Sequence, residues 1–426
     1  MASKGSLAGR ALLAVVLLVV FYVIAIGISL ALFALGVWLL KHGRGSGTGK
    51  GVVFSFITGA VILWSVFPRP DFFEEPGPRL DPKKHPRLFD ALRKIARGLG
   101  QEMPADVYLV PDVNAFVTQR GGIMGLGSKR VMGLGLPLLQ ALTVTEMRGV
   151  IAHEFGHFVG GDTKLGPWIY KTRSALARTV VNLGDSITSW FFLQYFKMFL
   201  RITEAISRAQ EYEADAVSAK LVGSRALISG LKKTHGAAPA FNVYMDSEYL
   251  PVLGSGFRPP LAEGFGRFLR SKEIATALKE EVAGALRSHD HDPYDSHPPL
   301  ADRVAALEKL REGAEPPEDD PPALSLLEDV AAAEKELIAM LLKDQAASLK
   351  AVKWSETAEK VTIPGWKELL AENGSHLAKV TPESLAGDAK RFTKVGKLLV
   401  NEPGADAELH RRAGVSLVGS ALGLAL

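Results

Sequence analysis

The strongest pattern in the chain is a long apolar run near its amino terminus. No charged residue occurs between positions 11 and 40, and about 20 apolar residues are enough for a helix to cross the core of a bilayer. The apolar region of a cleaved signal peptide is shorter and ends in small residues, whereas this run continues through Trp38 into Lys41. The pattern therefore predicts a retained transmembrane helix.

A second uncharged stretch, residues 51–67, carries Trp64 and ends at Pro68, where a helix stops. The two stretches together predict a transmembrane hairpin over residues 1–68. Basic residues are concentrated on the side that holds both ends of the hairpin. They are Lys4, Arg10, Arg69, Arg79, Lys83, Lys84 and Arg87 on that side, against Lys41, Arg44 and Lys50 in the connecting loop. Because basic flanks stay in the cytoplasm, we expect the main domain to face the cytoplasm, as it would in a bacterial inner membrane.

Shorter periodic segments follow the hairpin and a Pro-rich linker. Residues 88–99 have helical spacing of their apolar positions, and residues 107–110 and 115–118 have the composition of short strands. The glycine pair 121–122 can turn the chain back onto residues 123–136. The fold class predicted is mainly α with a small antiparallel β-sheet.

The next predicted helix is marked at both ends. Thr143, followed three residues later by Glu146, forms a capping box, and the pair Gly160-Gly161 supplies a stop. Further on, Pro-Pro-Glu-Asp-Asp-Pro-Pro at 316–322 indicates a linker. We therefore expect a main domain over 69–315 and a helical accessory region over 316–426, which begins with a long amphipathic helix at 323–352.

Composition restricts the chemistry. The 426 residues include no cysteine, so any metal must be held by His, Asp or Glu. The net charge is only +4 and no basic stripe alternates with aromatic residues, so nucleic acid is not expected as a partner. The sequence indicates neither the oligomeric state nor the identity of a substrate.

The predicted capped helix carries a metallopeptidase motif, His153-Glu154-Phe155-Gly156-His157. Histidines four residues apart share one helix face and can bind one zinc ion, which leaves Glu154 beside the metal as a general base. The alternative is a chance match on a buried helix. The cap and the apolar surroundings favour the metal site.

A zinc site that hydrolyses its substrate needs a third protein ligand. Glu211 is the best candidate, because Asp215 lies one helical turn further on, where it can orient a zinc-bound histidine. The alternative is a solvated acidic helix face.

Four motifs occur in an order that resembles the zinc endopeptidases of the HtpX and CAAX prenyl protease type. They are Asn114-Ala115-Phe116, the histidine motif, Glu211-Tyr212-Glu213-Ala214-Asp215 and Ser296-His297-Pro298-Pro299, and the resemblance covers roughly residues 80–312. It implies a zincin-like α+β domain, one Zn²⁺ per chain and Glu211 as the third ligand. It also implies that Asn114, Ala115 and Phe116 belong to an edge strand that binds an extended polypeptide substrate by β-augmentation.

The same resemblance places His297 near the active site, where it can stabilise an oxyanion. Arg303 is a candidate partner for the carboxylates of the site. A histidine before two prolines can instead cap the helix that follows, so both interpretations stay open.

One segment departs from these relatives, which carry further membrane spans between the histidine and glutamate motifs. The corresponding residues 168–206 contain several charges, and only 187–200 is strongly apolar. This stretch is too short to span a bilayer, so we expect a membrane-surface or core helix and no chamber for a prenylated peptide.

The sequence thus predicts a membrane-bound zinc endopeptidase that cleaves flexible or unfolded proteins, including membrane proteins. Within the enzyme class, the alternative is a peptidase that processes one dedicated precursor. Outside it, the alternative is a non-catalytic membrane scaffold that keeps zinc for structure. The presence of Glu154 argues against the scaffold, because a structural zinc site needs no base.

Overall fold

The structure is a computed structural model that describes residues 4–45, 47–67, 69, 71–122, 127–159, 166–290, 292, 294–310, 312–313, 317–368 and 371. The predicted glycine stop at 160–161 and the part of the accessory region after residue 371 lie outside these residues. Two compact units are present: Met1–Asn242 with Phe265–Lys343, and Val243–Gly264 with Asp344–Leu426. The domain boundaries expected at 69 and 316 stay a prediction.

The amino-terminal hairpin forms as predicted. Helices α1 (Lys4–His42) and α2 (Thr48–Val66) lie side by side, and their apolar stretches Leu12–His42 and Thr48–Val66 are long enough to cross a membrane. Only 22% and 33% of the residues in the most apolar windows of these stretches are buried in the isolated chain. Apolar residues on the outside of a helix pair suit contact with lipid.

Two further helices pack against this hairpin. They are α6 (Gly166–Leu183) and α7 (Ile187–Val222), and the first half of α7 joins α1 and α2 in one apolar cluster through Phe192 and Phe199. The hydroxyl of Tyr195 also donates a hydrogen bond to the carbonyl of Leu17. The segment 187–200 therefore has one face in a core, in line with the expected surface or core helix.

A three-stranded sheet lies in the larger unit, with strand order β1 (Asp106–Val110), β3 (Lys129–Gly135), β2 (Ala115–Arg120). The predicted β2–β3 hairpin is confirmed, but β1 pairs parallel to β3, so the sheet is mixed and not purely antiparallel. Residues 131–135 of β3 are all buried, which suits a central strand. The half-exposed β2 is an edge strand of the sheet.

The helix that carries the histidine motif is α5 (Val144–Val159), which follows α4 (Leu136–Ala141). Its predicted capping box is confirmed: the Thr143 N–H donates to Glu146 Oε2 over 2.8 Å. The Glu146 carboxylate also accepts hydrogen bonds from Ser229 and Lys233. In addition, the Asp320 carboxylate accepts a bond of 3.1 Å from the Thr145 N–H, so the predicted linker packs on the start of this helix.

The other elements of the larger unit are mostly helical and include α3 (Pro86–Gly98), α11 (Lys272–Ala285), α12 (Leu300–Leu310) and α13 (Val330–Leu342). The long helix predicted over 323–352 is wrong. A 3-10 turn occupies Ala323–Leu326, Asp329 then caps α13 by accepting a bond from the Ala332 N–H, and Lys343 ends the helix at φ 49°.

The smaller unit is held by a parallel bridge between β4 (Phe257–Arg258) and β5 (Lys350–Ala351). Within it, the Trp354 indole N–H donates to the Pro260 carbonyl over 2.7 Å. The smaller unit also contains α9 (Leu250–Gly254) and a π-helical turn at Met245–Tyr249. The remaining helices, α8 (Ser224–Tyr244) and α10 (Leu261–Arg270), have most of their residues in the larger unit.

Candidate active site

Two closely packed helices, α5 and α7, carry the candidate metal ligands. A Cβ atom at Gly156 would lie 2.9 Å from the Ala214 Cα, so only glycine lets the two backbones approach this closely. Two turns away, the Ser218 hydroxyl donates a bond of 2.7 Å to the Gly149 carbonyl. These contacts fix the histidine motif against the glutamate motif.

His153, His157 and Glu211 converge as predicted. Each offers one ligand atom, and these atoms all lie within 4.8 Å of one another. His153 Nε2 lies 3.3 Å from one Glu211 oxygen, and His157 Nε2 lies 3.5 Å from the other. His153 and Glu211 are buried.

The donor set fits a divalent metal ion. The His153 Nδ1–H donates to Asp215 Oδ1 over 2.9 Å, which leaves the lone pair of a neutral His153 on Nε2. A metal ion that replaces the Nε2 proton of His153 would be held between this lone pair and the Glu211 carboxylate, because a histidine binds metal in its neutral form. Two histidines and one glutamate are a ligand set of catalytic zinc sites.

The two histidines of the cluster have different pKa values. Burial and the charge of His153 lower the pKa of His157 to about 4, so His157 is neutral near pH 7. Burial opposes protonation of His153, but hydrogen bonds to Asp215 and Glu211 outweigh it and raise its pKa to about 9. Burial also opposes ionisation of Glu211, yet His153 and His297 hold its pKa well below the ordinary value, and it stays anionic.

Glu154 lies between the metal-ligand group and the sheet. Its carboxylate accepts a hydrogen bond from the backbone N–H of Val117 in β2. Burial raises the pKa of Glu154 above its ordinary value, and the negative charge of Glu211 acts in the same direction. A carboxylate with a raised pKa is better suited to accept and return a proton.

The structure brings His297 to the same cluster. It lies in the loop before α12, and its Nδ1 is 3.1 Å from Glu211 Oε2. Its backbone N–H donates to the Asp295 side chain, and its own side chain is 61% exposed. The hydrogen bond to Glu211 raises the pKa of His297 despite partial burial. The side chain therefore faces the site, and its Nε2 is available for a substrate.

Arg303 contacts the carboxylates of both Asp215 and Glu211. Its guanidinium forms a two-bond contact with Asp215, at 2.9 Å from Nε and 2.7 Å from Nη2, and its Nη1 lies 3.4 Å from Glu211. Arg303 is 8% exposed. Asp215 is thereby held where it can orient His153.

The predicted substrate-binding residues lie at the exposed edge of the sheet. Ala115 and Phe116 begin β2, and Asn114 immediately precedes it. The Asn114 carbonyl accepts a bond from the Gly135 N–H, and ladder bonds alternate along antiparallel strands. The backbone groups of residues 115, 117 and 119 therefore face away from β3, toward an edge that no strand covers in the part of the chain that the structure describes.

Two residues that hold the His297 loop were not predicted from the sequence. Arg208 on α7 donates through Nη1 to the Asp295 carbonyl over 2.7 Å, and Arg201 places its guanidinium 5.4 Å from the centre of the Tyr294 ring. The only local signal was that Arg208 lies one helical turn before Glu211.

A helix with two histidines, a glutamate ligand from a second helix and a carboxylate beside them define a metallopeptidase site. Residues 82–311, more than half of the chain, match the profile of peptidase family M48, and the chain belongs to this family.

Several curated bacterial proteases are similar to it. The chain is 28% identical to Protease HtpX of Alkalilimnicola ehrlichii over 247 residues, which cover 53% of this chain and 69% of the relative. It is 24% identical to Protease HtpX of Chromohalobacter salexigens over 316 residues, which cover 66% of this chain and 92% of the relative. These findings and the two apolar helices establish a membrane metallopeptidase of the HtpX type.

Proposed function

We propose that this protein is a zinc-dependent endopeptidase that hydrolyses peptide bonds in flexible or unfolded polypeptides, including membrane proteins. The observation that carries the proposal is the position of Glu154, beside the three candidate metal ligands and hydrogen-bonded to β2. A base next to both a metal site and an uncovered strand edge is what peptide hydrolysis needs.

His153, His157 and Glu211 would hold one zinc ion per chain. Bound there, zinc would supply Lewis acidity and lower the pKa of a water molecule toward neutrality. Asp215 holds His153 in the tautomer that presents Nε2, and Arg303 keeps Asp215 in place.

Glu154 would accept the proton of the attacking water and pass it to the amine that leaves. Its raised pKa suits both steps, because a carboxyl group whose pKa is closer to the working pH can both take up and release a proton. His297 would donate from Nε2 to the oxygen of the tetrahedral intermediate. Its raised pKa favours the protonated form, which is a charged donor.

The open edge of β2 would bind the substrate as an added strand. Apart from the Val117 N–H, which donates to Glu154, the outward backbone groups at residues 115, 117 and 119 can pair with an extended segment. A compact folded protein presents few such segments, which is why flexible polypeptides are the proposed substrates.

The hairpin would anchor the enzyme in a bacterial inner membrane with the catalytic domain in the cytoplasm. The distribution of basic residues and the bacterial origin of the related proteases support this location. Residues 69–315 would form the peptidase domain, and residues 316–426 an accessory region.

The test is cleavage of an unfolded model protein by the full chain in detergent, compared with Glu154→Gln, with zinc measured in both. We expect the wild type to cleave, the variant to lose activity by several orders of magnitude and both to hold one zinc ion. Zinc bound in both with no cleavage of any unfolded protein would contradict the proposal. Cleavage of a single native precursor would then favour a processing peptidase, and none at all would favour the scaffold.

A further inference from the structure

The outer face of α7 is apolar at the start of the helix and basic further along. Ile187, Trp190 and Phe191 are 84%, 62% and 40% exposed, and they lie on the face opposite the cluster that packs on the hairpin. Further along the same face come Gln194, Lys197 and Arg201, which are all exposed. An apolar segment followed by basic residues is typical of a helix that enters a membrane and ends at the phosphate groups.

A cavity of about 260 Å³ opens at the basic end of this face. It is lined by Gln194, Lys197, Met198, Arg201, Ile202 and Tyr294. Lys197 and Arg201 are one helical turn apart, so both can reach a single anion. Within the described residues neither forms an ion pair, and the Arg201 guanidinium lies near the Tyr294 ring. The cavity therefore combines two cations with an amide and an aromatic ring.

The surroundings of the cavity indicate what fills it. Exposed apolar residues on α1 continue down to Leu12, and the Tyr195–Leu17 bond aligns this part of α1 with the segment of α7 just before Lys197. The apolar surfaces of both helices therefore end near Lys197.

We propose that this cavity binds the headgroup phosphate of an anionic phospholipid in the membrane that holds the hairpin. Lys197 and Arg201 would contact the phosphate, Gln194 would donate to its glycerol or headgroup oxygens, and the acyl chains would lie along Trp190 and Phe191. Phosphatidylglycerol is a suitable probe, because it adds a net negative charge that phosphatidylcholine lacks.

The experiment titrates the delipidated full chain in detergent with phosphatidylglycerol or phosphatidylcholine and counts bound lipid by native mass spectrometry. Each basic residue near a membrane surface contributes about a fivefold gain in affinity for anionic lipid. We therefore expect a preference for phosphatidylglycerol of about 25-fold, lost in the double variant Lys197→Gln with Arg201→Gln. The matched control removes one lysine and one arginine from α3, Lys94→Gln with Arg97→Gln, and should keep the preference.

A second variant tests whether a loss of lipid binding comes from the cavity or from misfolding of the double variant. Gln194→Glu keeps both cations and places a negative charge in the cavity, so it should also weaken phosphatidylglycerol binding. Thermal unfolding of each variant shows whether its fold is intact, and Glu154→Gln should bind the lipid like the wild type, which separates this proposal from peptidase activity. The proposal is overturned by equal affinity for the two lipids, by unchanged binding in the folded variants, or by displacement of the lipid with inorganic phosphate at the same concentration.

Discussion

At the scale of single residues, His297 decides between an enzyme and a scaffold. It is the histidine that approaches the three candidate ligands from outside the two ligand-bearing helices, with Nδ1 3.1 Å from Glu211. In an enzyme it acts on the substrate and the fourth position of the metal stays open to water. In a structural site it would fill that position.

We predict that His297→Gln keeps the zinc content of the wild type and lowers kcat by about 10²–10³-fold, the effect of removing one oxyanion donor. The measurements are zinc per chain and kcat on an unfolded model protein. His235→Gln changes an exposed histidine on α8 and should leave both values unchanged. Loss of zinc in His297→Gln would identify His297 as a structural ligand.

At the scale of elements, the capped start of α5 determines how firmly the histidine motif is held. Burial opposes ionisation of Glu146, but hydrogen bonds from Lys233, Ser229 and the Thr143 backbone outweigh it and lower its pKa below 4.5. The ionised side chain therefore stabilises the folded state. That contribution is complete above the ordinary pKa and disappears as the pH falls through the lower pKa of the folded protein.

We predict that Glu146→Gln lowers the Tm by about 5 °C at pH 7, because hydrogen bonds to a charged group are lost. The difference from the wild type should shrink at acidic pH, as the pH falls below 4.5, the ordinary value for a glutamate. Thermal unfolding in detergent across this pH range is the measurement. Glu280→Gln, on the exposed face of α11, should show no difference at either pH, and a pH-independent loss in Glu146→Gln would contradict the prediction.

Elements set by local spacing were predictable from the sequence, and those set by distant pairing were not. The two apolar helices, the Thr143–Glu146 cap and the β2–β3 hairpin depend on residues a few positions apart, so the sequence predicted them. The parallel pairing of β1 with β3 joins strands separated by the whole of β2.

The same distinction applies to the site. The histidine and glutamate motifs were visible because their spacing follows one helix face. The bond from Arg208 to Asp295 and the contact of Asp320 with Thr145 join residues 87 and 175 positions apart. No local pattern marks such contacts.

At the scale of the whole molecule, the loop 294–297 links the proposed lipid cavity to the candidate active site. The loop runs alongside α7 and contacts it at three points. Arg201 contacts Tyr294, and Arg208 donates to the Asp295 carbonyl. Glu211 contacts His297. A phosphate bound to Arg201 would restrain its guanidinium against the Tyr294 ring. His297 would then be held more firmly beside the metal site.

We predict that phosphatidylglycerol raises the kcat of the wild type by about fivefold over phosphatidylcholine, a modest coupling between two sites. The measurement is cleavage of an unfolded protein by the enzyme in nanodiscs of either lipid. The Lys197→Gln, Arg201→Gln double variant should lose the activation and the α3 control should keep it. Tyr294→Leu tests the link itself, because it removes the ring and leaves both cations: it should still bind phosphatidylglycerol but show no activation. Full activation in Tyr294→Leu would mean that the lipid acts on the enzyme by another route.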